Sequence, residues 1–288
     1  MSRCSTLTCI NAAPEHQAYR RDGEPFFDGC TFRAGVNDAR LGQALETIRM
    51  SLACPSVIAA LDATLCTPVD IYCERTSAAL DAEPINALTN VALPFAAWMA
   101  WRCRLKQPTS AADGVVRVLI VIIAIVGLGS FLFHTVATRW AQWGDVIPIL
   151  AFTVLYLWLV LSRFLRWSFW PVLLALSSFL ISTLYAEAWV PPEVLWGGAM
   201  YLPTLFSLIA LSIALHRQES AAGKSMLSAT GAFVCAFAAR TLDMQVCNAF
   251  PFGTHFLWHL LTALFLYLLT RLAILHMPAS FPEGAHRT

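Results

Sequence analysis

An all-α integral membrane protein, a bundle of seven transmembrane helices, is what three observations on the sequence predict. Hydrophobic residues make up 58% of its 288 positions, charged residues only 13%, and apolar runs of membrane-crossing length recur through the middle and the end of the chain. Spanning about 30 Å of hydrocarbon takes roughly 20 helical residues.

Residues 1–69 differ in kind from the rest of the chain. They mix Arg, Asp, Gly and Pro with no apolar run long enough for a signal peptide or a span. Because Met50 precedes a shorter lead-in to the first helix, residues 1–49 are expected to be an upstream extension absent from the natural product. The membrane domain is placed at 70–276 and a short cytoplasmic tail at 277–288. Seven segments qualify as spans: 86–105, 115–138, 145–165, 168–189, 197–216, 224–243 and 255–275. The third and fourth are separated only by 163–167, and the sixth is alanine-rich, so a count of six stays open.

Basic residues of short loops gather on the cytoplasmic side. Arg102, Arg104, Lys106, Arg117, Arg163, Arg166, Arg217, Lys224, Arg271 and Arg287 fall on one face of this topology, against Arg139 and Arg240 on the other. The N-terminus is therefore expected outside and the C-terminus in the cytoplasm, in a cell membrane. Nothing points to nucleic acid or to a protein partner.

Ionisable residues inside a bilayer are costly, so each one needs a reason. His134 near the end of the second span, Asp145 opening the third, Tyr201 early in the fifth, and His255 and His259 at the start of the seventh all fall at one depth. His255 and His259 are spaced i, i+4 and share a helix face, which suits two ligands of one zinc ion. Three neutral imidazoles leave a fourth tetrahedral position open, where zinc acidifies water and polarises a carbonyl. The residues between the two histidines are Phe256, Leu257 and Trp258, so a base must come from elsewhere, and Asp145 is the candidate. Ser130, one turn before His134 on the same face, is placed to stabilise an oxyanion.

Each residue also has a plainer reading. An intramembrane His is often a hydrogen-bonded packing residue, Asp145 suits a first helical turn, and Ser130 in a Gly-rich stretch suits close helix packing. Arg240 and Asp243, i, i+3 on the sixth span, read as a structural ion pair.

Read in order, Gly127-Leu-Gly-Ser-Phe-Leu-Phe-His134-Thr, Gln142-Trp-Gly-Asp145-Val-Ile-Pro148 and Thr254-His255-Phe-Leu-Trp258-His259 resemble the alkaline ceramidases, seven-helix zinc amidases related to adiponectin-receptor-like hydrolases. Asp70-Ile-Tyr-Cys73-Glu74-Arg and Ala82-Glu83-Pro-Ile-Asn86-Ala-Leu-Thr-Asn90 are similar to that family's lead-in, in a bacterial variant, for which the expected location is the inner membrane. The resemblance covers roughly 70–275. It implies zinc on His134, His255 and His259, Asp145 acting on the metal's water, and Ser130 assisting at the oxyanion. It also implies a tyrosine from the fifth span, Tyr201 or alternatively Tyr185, and a disulfide between Cys73 and Cys247. The implied substrate is a ceramide-like N-acyl lipid drawn from the bilayer. The family's calcium site would fall on Asp70, Glu74 and Glu83, but Thr76 stands where an Asn is expected. An ion-pair network of these acids with Arg75 is the alternative. The second functional class is a seven-helix receptor or sensor with structural zinc and no turnover. A transporter would show paired broken helices in two related halves, and none is visible.

Overall fold

The computed structural model describes residues 53–108, 113–218 and 221–277. The extension read at 1–49 and all but the first residue of the tail lie outside the described residues. Within them the chain is helical, with one isolated backbone bridge between Pro68 and Thr138. The helices are α1 (Ser56–Leu61), α2 (Pro84–Thr89), α3 (Ala92–Leu105), α4 (Asp113–Val136), α5 (Arg139–Leu159), α6 (Phe169–Trp189), α7 (Pro192–Leu195), α8 (Leu202–His216), α9 (Ala221–Val246) and α10 (His255–His276). A π turn, Val160–Phe164, extends α5, and a 3-10 turn, Ala199–Tyr201, leads into α8.

Among the described residues six segments are long and apolar enough to cross a membrane: Asp113–Val136, Arg139–Phe164, Phe169–Trp189, Ala199–His216, Ala221–Val246 and His255–His276. The first expected span, 86–105, is two helices instead of one. Pro94 has no N–H to offer the Asn90 carbonyl, so the helix is interrupted at Asn90 and Val91. Leu93 N–H takes that carbonyl in a tighter turn at 3.1 Å. The third span begins at Arg139, which moves Asp145 from the opening residue to the second turn of α5.

Hydrophobicity does not distinguish inside from outside in this bundle. Leu93, Leu119, Phe152 and Leu266 are buried, while Leu128, Leu174, Leu184 and Trp189 are as apolar and face outward. Polar residues mark the interior: Asn86, Asn90, Ser130, Thr230, Asp243, Thr262 and Thr270 are all buried, as expected where the surrounding solvent is hydrocarbon. Helix α10 is the centre of the packing, lying against α9, α3, α2 and α4.

Two prolines open carbonyls toward glycines of α4. Pro148 lies inside α5 and leaves the carbonyl of Gly144 without its intrahelical N–H. Gly129 of α4 sits directly against that carbonyl, with no room for a Cβ, and Gly127 likewise meets Pro94, Leu93 and the Asn90 carbonyl. The Gly129–Gly144 approach brings the residues after those two glycines, Ser130 and Asp145, side by side. Gly129→Val should force α4 and α5 apart and lower stability by about 1–3 kcal/mol. Thermal unfolding in detergent checks this, and an unchanged midpoint would mean the helices tolerate the side chain.

Candidate metal centre and its cavity

Three buried imidazoles meet at one end of the bundle. His134 comes from the last turn of α4, and His255 and His259 from the first two turns of α10, with exposures of 0, 1 and 2%. One ligand nitrogen from each lies within 4.8 Å of the others, and no other such group occurs among the described residues.

The outer nitrogens decide what the inner ones can do. Thr89 Oγ1 lies 2.8 Å from the Ile85 carbonyl and 2.9 Å from His259 Nδ1; with its one proton on the carbonyl, its oxygen accepts from Nδ1. His134 Nδ1 donates to Glu83 Oε2 at 2.6 Å. In that arrangement both rings carry their proton on Nδ1, and the two Nε2 lone pairs face one another at 3.0 Å. Such a pair repels unless a cation lies between. Tetrahedral zinc with Zn–N bonds of about 2.0–2.1 Å holds its nitrogens about 3.3 Å apart. His255 Nδ1 is buried with no hydrogen-bond partner. The donor set fits a borderline-soft divalent metal.

Glu83 takes hydrogen bonds from three sides: His134, Asn86 Nδ2 at 3.1 Å, and Arg75 Nε. Burial works to raise its carboxyl, but the hydrogen bonds it receives from His134 and Arg75, with the guanidinium charge, outweigh it and hold Glu83 below the usual carboxylate range. Glu74 accepts the Ile85 and Asn86 N–H groups at 2.7 and 2.8 Å, capping the start of α2. Burial nevertheless leaves its carboxyl above the ordinary value.

The three acids of the calcium reading have the following surroundings. Glu74 faces a helix N-terminus, Glu83 faces a guanidinium and an imidazole, and Asp70 lines a cavity together with Tyr72. The alternative network is present in part, through Glu83 and Arg75, but it is buried and not solvated.

Asp243 is not paired with Arg240. Its Oδ1 accepts the N–H groups of Thr254 and His255 at 2.7 and 2.8 Å, and its Oδ2 that of Cys73 at 2.8 Å. It thereby caps α10 at the very residue that supplies a histidine. Gly253, at φ +63°, allows this, since a Cβ there would strike the Asp243 carboxylate. Cys73 is joined to Cys247 by a disulfide, and a second one links Cys54 to Cys66.

The family model for ceramidases matches residues 70–283, almost three-quarters of the chain. This chain belongs to the ceramidase family. A search of curated proteins finds no match, and neither does a search of solved structures. Ceramidase membership makes it an amidohydrolase of ceramide-type lipids, with a buried three-histidine group able to hold a metal ion.

Beside the histidines the ceramidase has a cavity of about 400 Å³, lined by Asp70, Tyr72, Phe133, Gln142, Asp145, Tyr201, Arg240 and Met244 among others. Of the site residues picked out in the sequence, Asp70, Asp145 and Tyr201 line it, and Ser130 makes a hydrogen bond to the Asp145 carboxylate, leaving Asp145 Oδ1 unpartnered. Tyr185 is 60% exposed on α6 and is not among the residues lining this cavity. Arg240 donates from Nη1 and Nη2 to the carbonyls of Trp196 and Gly197, at 3.1 and 3.2 Å.

Residues that sequence reasoning missed also touch the three imidazoles. Tyr72 stacks on His255 with ring centroids 3.6 Å apart and planes 19° from parallel, so it stands between cavity and imidazoles. Burial pushes its hydroxyl well above the ordinary tyrosine value, which keeps it a neutral donor. Thr89 gives no signal in the sequence. Glu83 does stand out there, but for calcium and not for the histidine it holds.

Proposed function

We propose that the protein is an intramembrane zinc-dependent amidase that cleaves the amide bond of a ceramide-like N-acyl lipid. The observation that carries this is the pair of Nε2 atoms facing one another, each turned inward by a hydrogen bond at its own Nδ1. His134, His255 and His259 would hold the metal. Zinc bound there supplies an acidified water and polarises the acyl carbonyl.

The chain's own residues then divide the remaining work. Asp145, with a free Oδ1 on the cavity wall, orients the attacking water and takes its proton. Ser130 holds the other side of the Asp145 carboxylate and would assist at the oxyanion by turning its one hydroxyl proton from that carboxylate to the substrate oxygen. Tyr201, buried on the same wall, offers its hydroxyl to the carbonyl oxygen or the leaving amine. The apolar part of the cavity, with Phe133 and Met244, suits an acyl chain arriving from the bilayer and excludes bulk water.

Counting α2 and α3 together as one span gives seven crossings. The loop arginines support an N-terminus outside and a C-terminus in the cytoplasm, and a bacterial inner membrane is the location that suits this reading.

Purified in detergent, the protein should contain about one zinc per chain by elemental analysis and release fatty acid from a ceramide or another member of an N-acyl lipid panel. Zinc without release from any lipid would favour the receptor or sensor reading. Absence of bound metal after supplementation would overturn both.

A further inference from the structure

We infer that Arg75 is a positioning residue for the metal centre, holding His134 by its ring and its backbone at once. The inference rests on the proposal that the three histidines hold a metal.

Arg75 is 6% exposed. Its Nε donates to Glu83 Oε1, and the other oxygen of that carboxylate receives His134 Nδ1. Its Nη2 donates to the backbone carbonyl of the same histidine at 2.9 Å. The path guanidinium, carboxylate, imidazole, backbone carbonyl and back to guanidinium is a closed ring. Nη1 anchors that ring to the loop through the carbonyls of Ser77 and Ala79, each at 3.2 Å.

Every part of this arrangement uses a property specific to arginine. The His134 carbonyl lies in the last turn of α4, where carbonyls lack an intrahelical partner and the helix end is partially negative. A planar fork can donate to that carbonyl and to a carboxylate in one fixed geometry, whereas a lysine ammonium is a single point of charge. Rotation of the His134 ring would break its contact with Glu83, and movement of Glu83 would break its contact with Arg75. Partners one step beyond a ligating histidine fix its tautomer and orientation, and losing them typically weakens metal binding about 10–100-fold.

The test is made on full-length protein stripped of metal and titrated with Zn²⁺ against a chromophoric chelator, comparing wild type with Arg75→Met and Arg75→Lys. The thermal midpoint of each metal-free protein and the visible spectrum of each Co²⁺-loaded protein are recorded alongside. Arg75→Met should bind Zn²⁺ about 10–100-fold more weakly with an altered Co²⁺ spectrum. Arg75→Lys should show a smaller loss in the same direction. Wild-type affinity and spectrum in both variants, with or without a lower metal-free midpoint, would make Arg75 merely structural and overturn the inference. If Arg75→Met does not fold, the lysine variant decides. Failure of the wild type to bind Zn²⁺ is a separate result, which would sink the proposed metal centre itself.

Discussion

Asp145→Asn should retain its zinc and lose at least about 100-fold in turnover, the lower end of what a positioned base contributes. The substitution preserves volume and leaves an oxygen able to accept from Ser130, but it removes the capacity to take a proton. The three histidines are held by other groups, Glu83, Thr89 and the Asp243 cap, so the metal should stay. Zinc content by elemental analysis and fatty-acid release on the same preparation check both halves. Unchanged turnover would move the base elsewhere on the cavity wall. Loss of zinc would mean Asp145 supports the metal and not the proton transfer.

The largest effect on stability is expected from Asp243→Ala. One carboxylate receives three backbone N–H groups, from Cys73, Thr254 and His255, and truncation would leave all three without an acceptor. Each stranded buried group costs about 1–3 kcal/mol, so a loss of several kcal/mol is expected where water cannot enter. Asp243→Asn keeps one acceptor oxygen and should fall between. Thermal unfolding of the metal-free protein measures the series, and a midpoint for the alanine variant equal to wild type would show that Asp243 does not anchor the start of α10. Because the stranded groups flank His255, zinc affinity should fall along with the midpoint.

What the sequence makes legible is local. The spacing of His255 and His259 predicts a shared helix face, and they share one. Apolar runs of membrane length are found as six candidate spans, and the segment that differs carries its reason in Pro94. What the sequence hides depends on contacts between distant positions. Glu83 lies 51 residues from His134, and Thr89 lies 170 from His259, separations at which no periodicity operates. One reading fails because a local pattern has stronger distant competitors. Arg240 and Asp243 are correctly spaced to pair, yet three backbone N–H groups engage Asp243 and two carbonyls engage Arg240. Glu74 and Glu83 of the acidic lead-in likewise have partners that no local pattern announces, a helix N-terminus for one and a guanidinium with an imidazole for the other.

The bond from Cys73 to Cys247 bridges 174 residues, and the hydrogen bond from Thr89 to His259 runs almost as far. The metal centre is therefore built from the first and last parts of the membrane domain, with only His134 contributed from between. A ribosome feeding this chain into a membrane must deliver α10 before Thr89 has its imidazole partner and before two of the three ligand histidines exist. Until then the nascent protein holds only His134 of the three. Hydrolytic competence thus arrives in a single late step of biogenesis, and a chain that stalls before α10 is left without the site altogether.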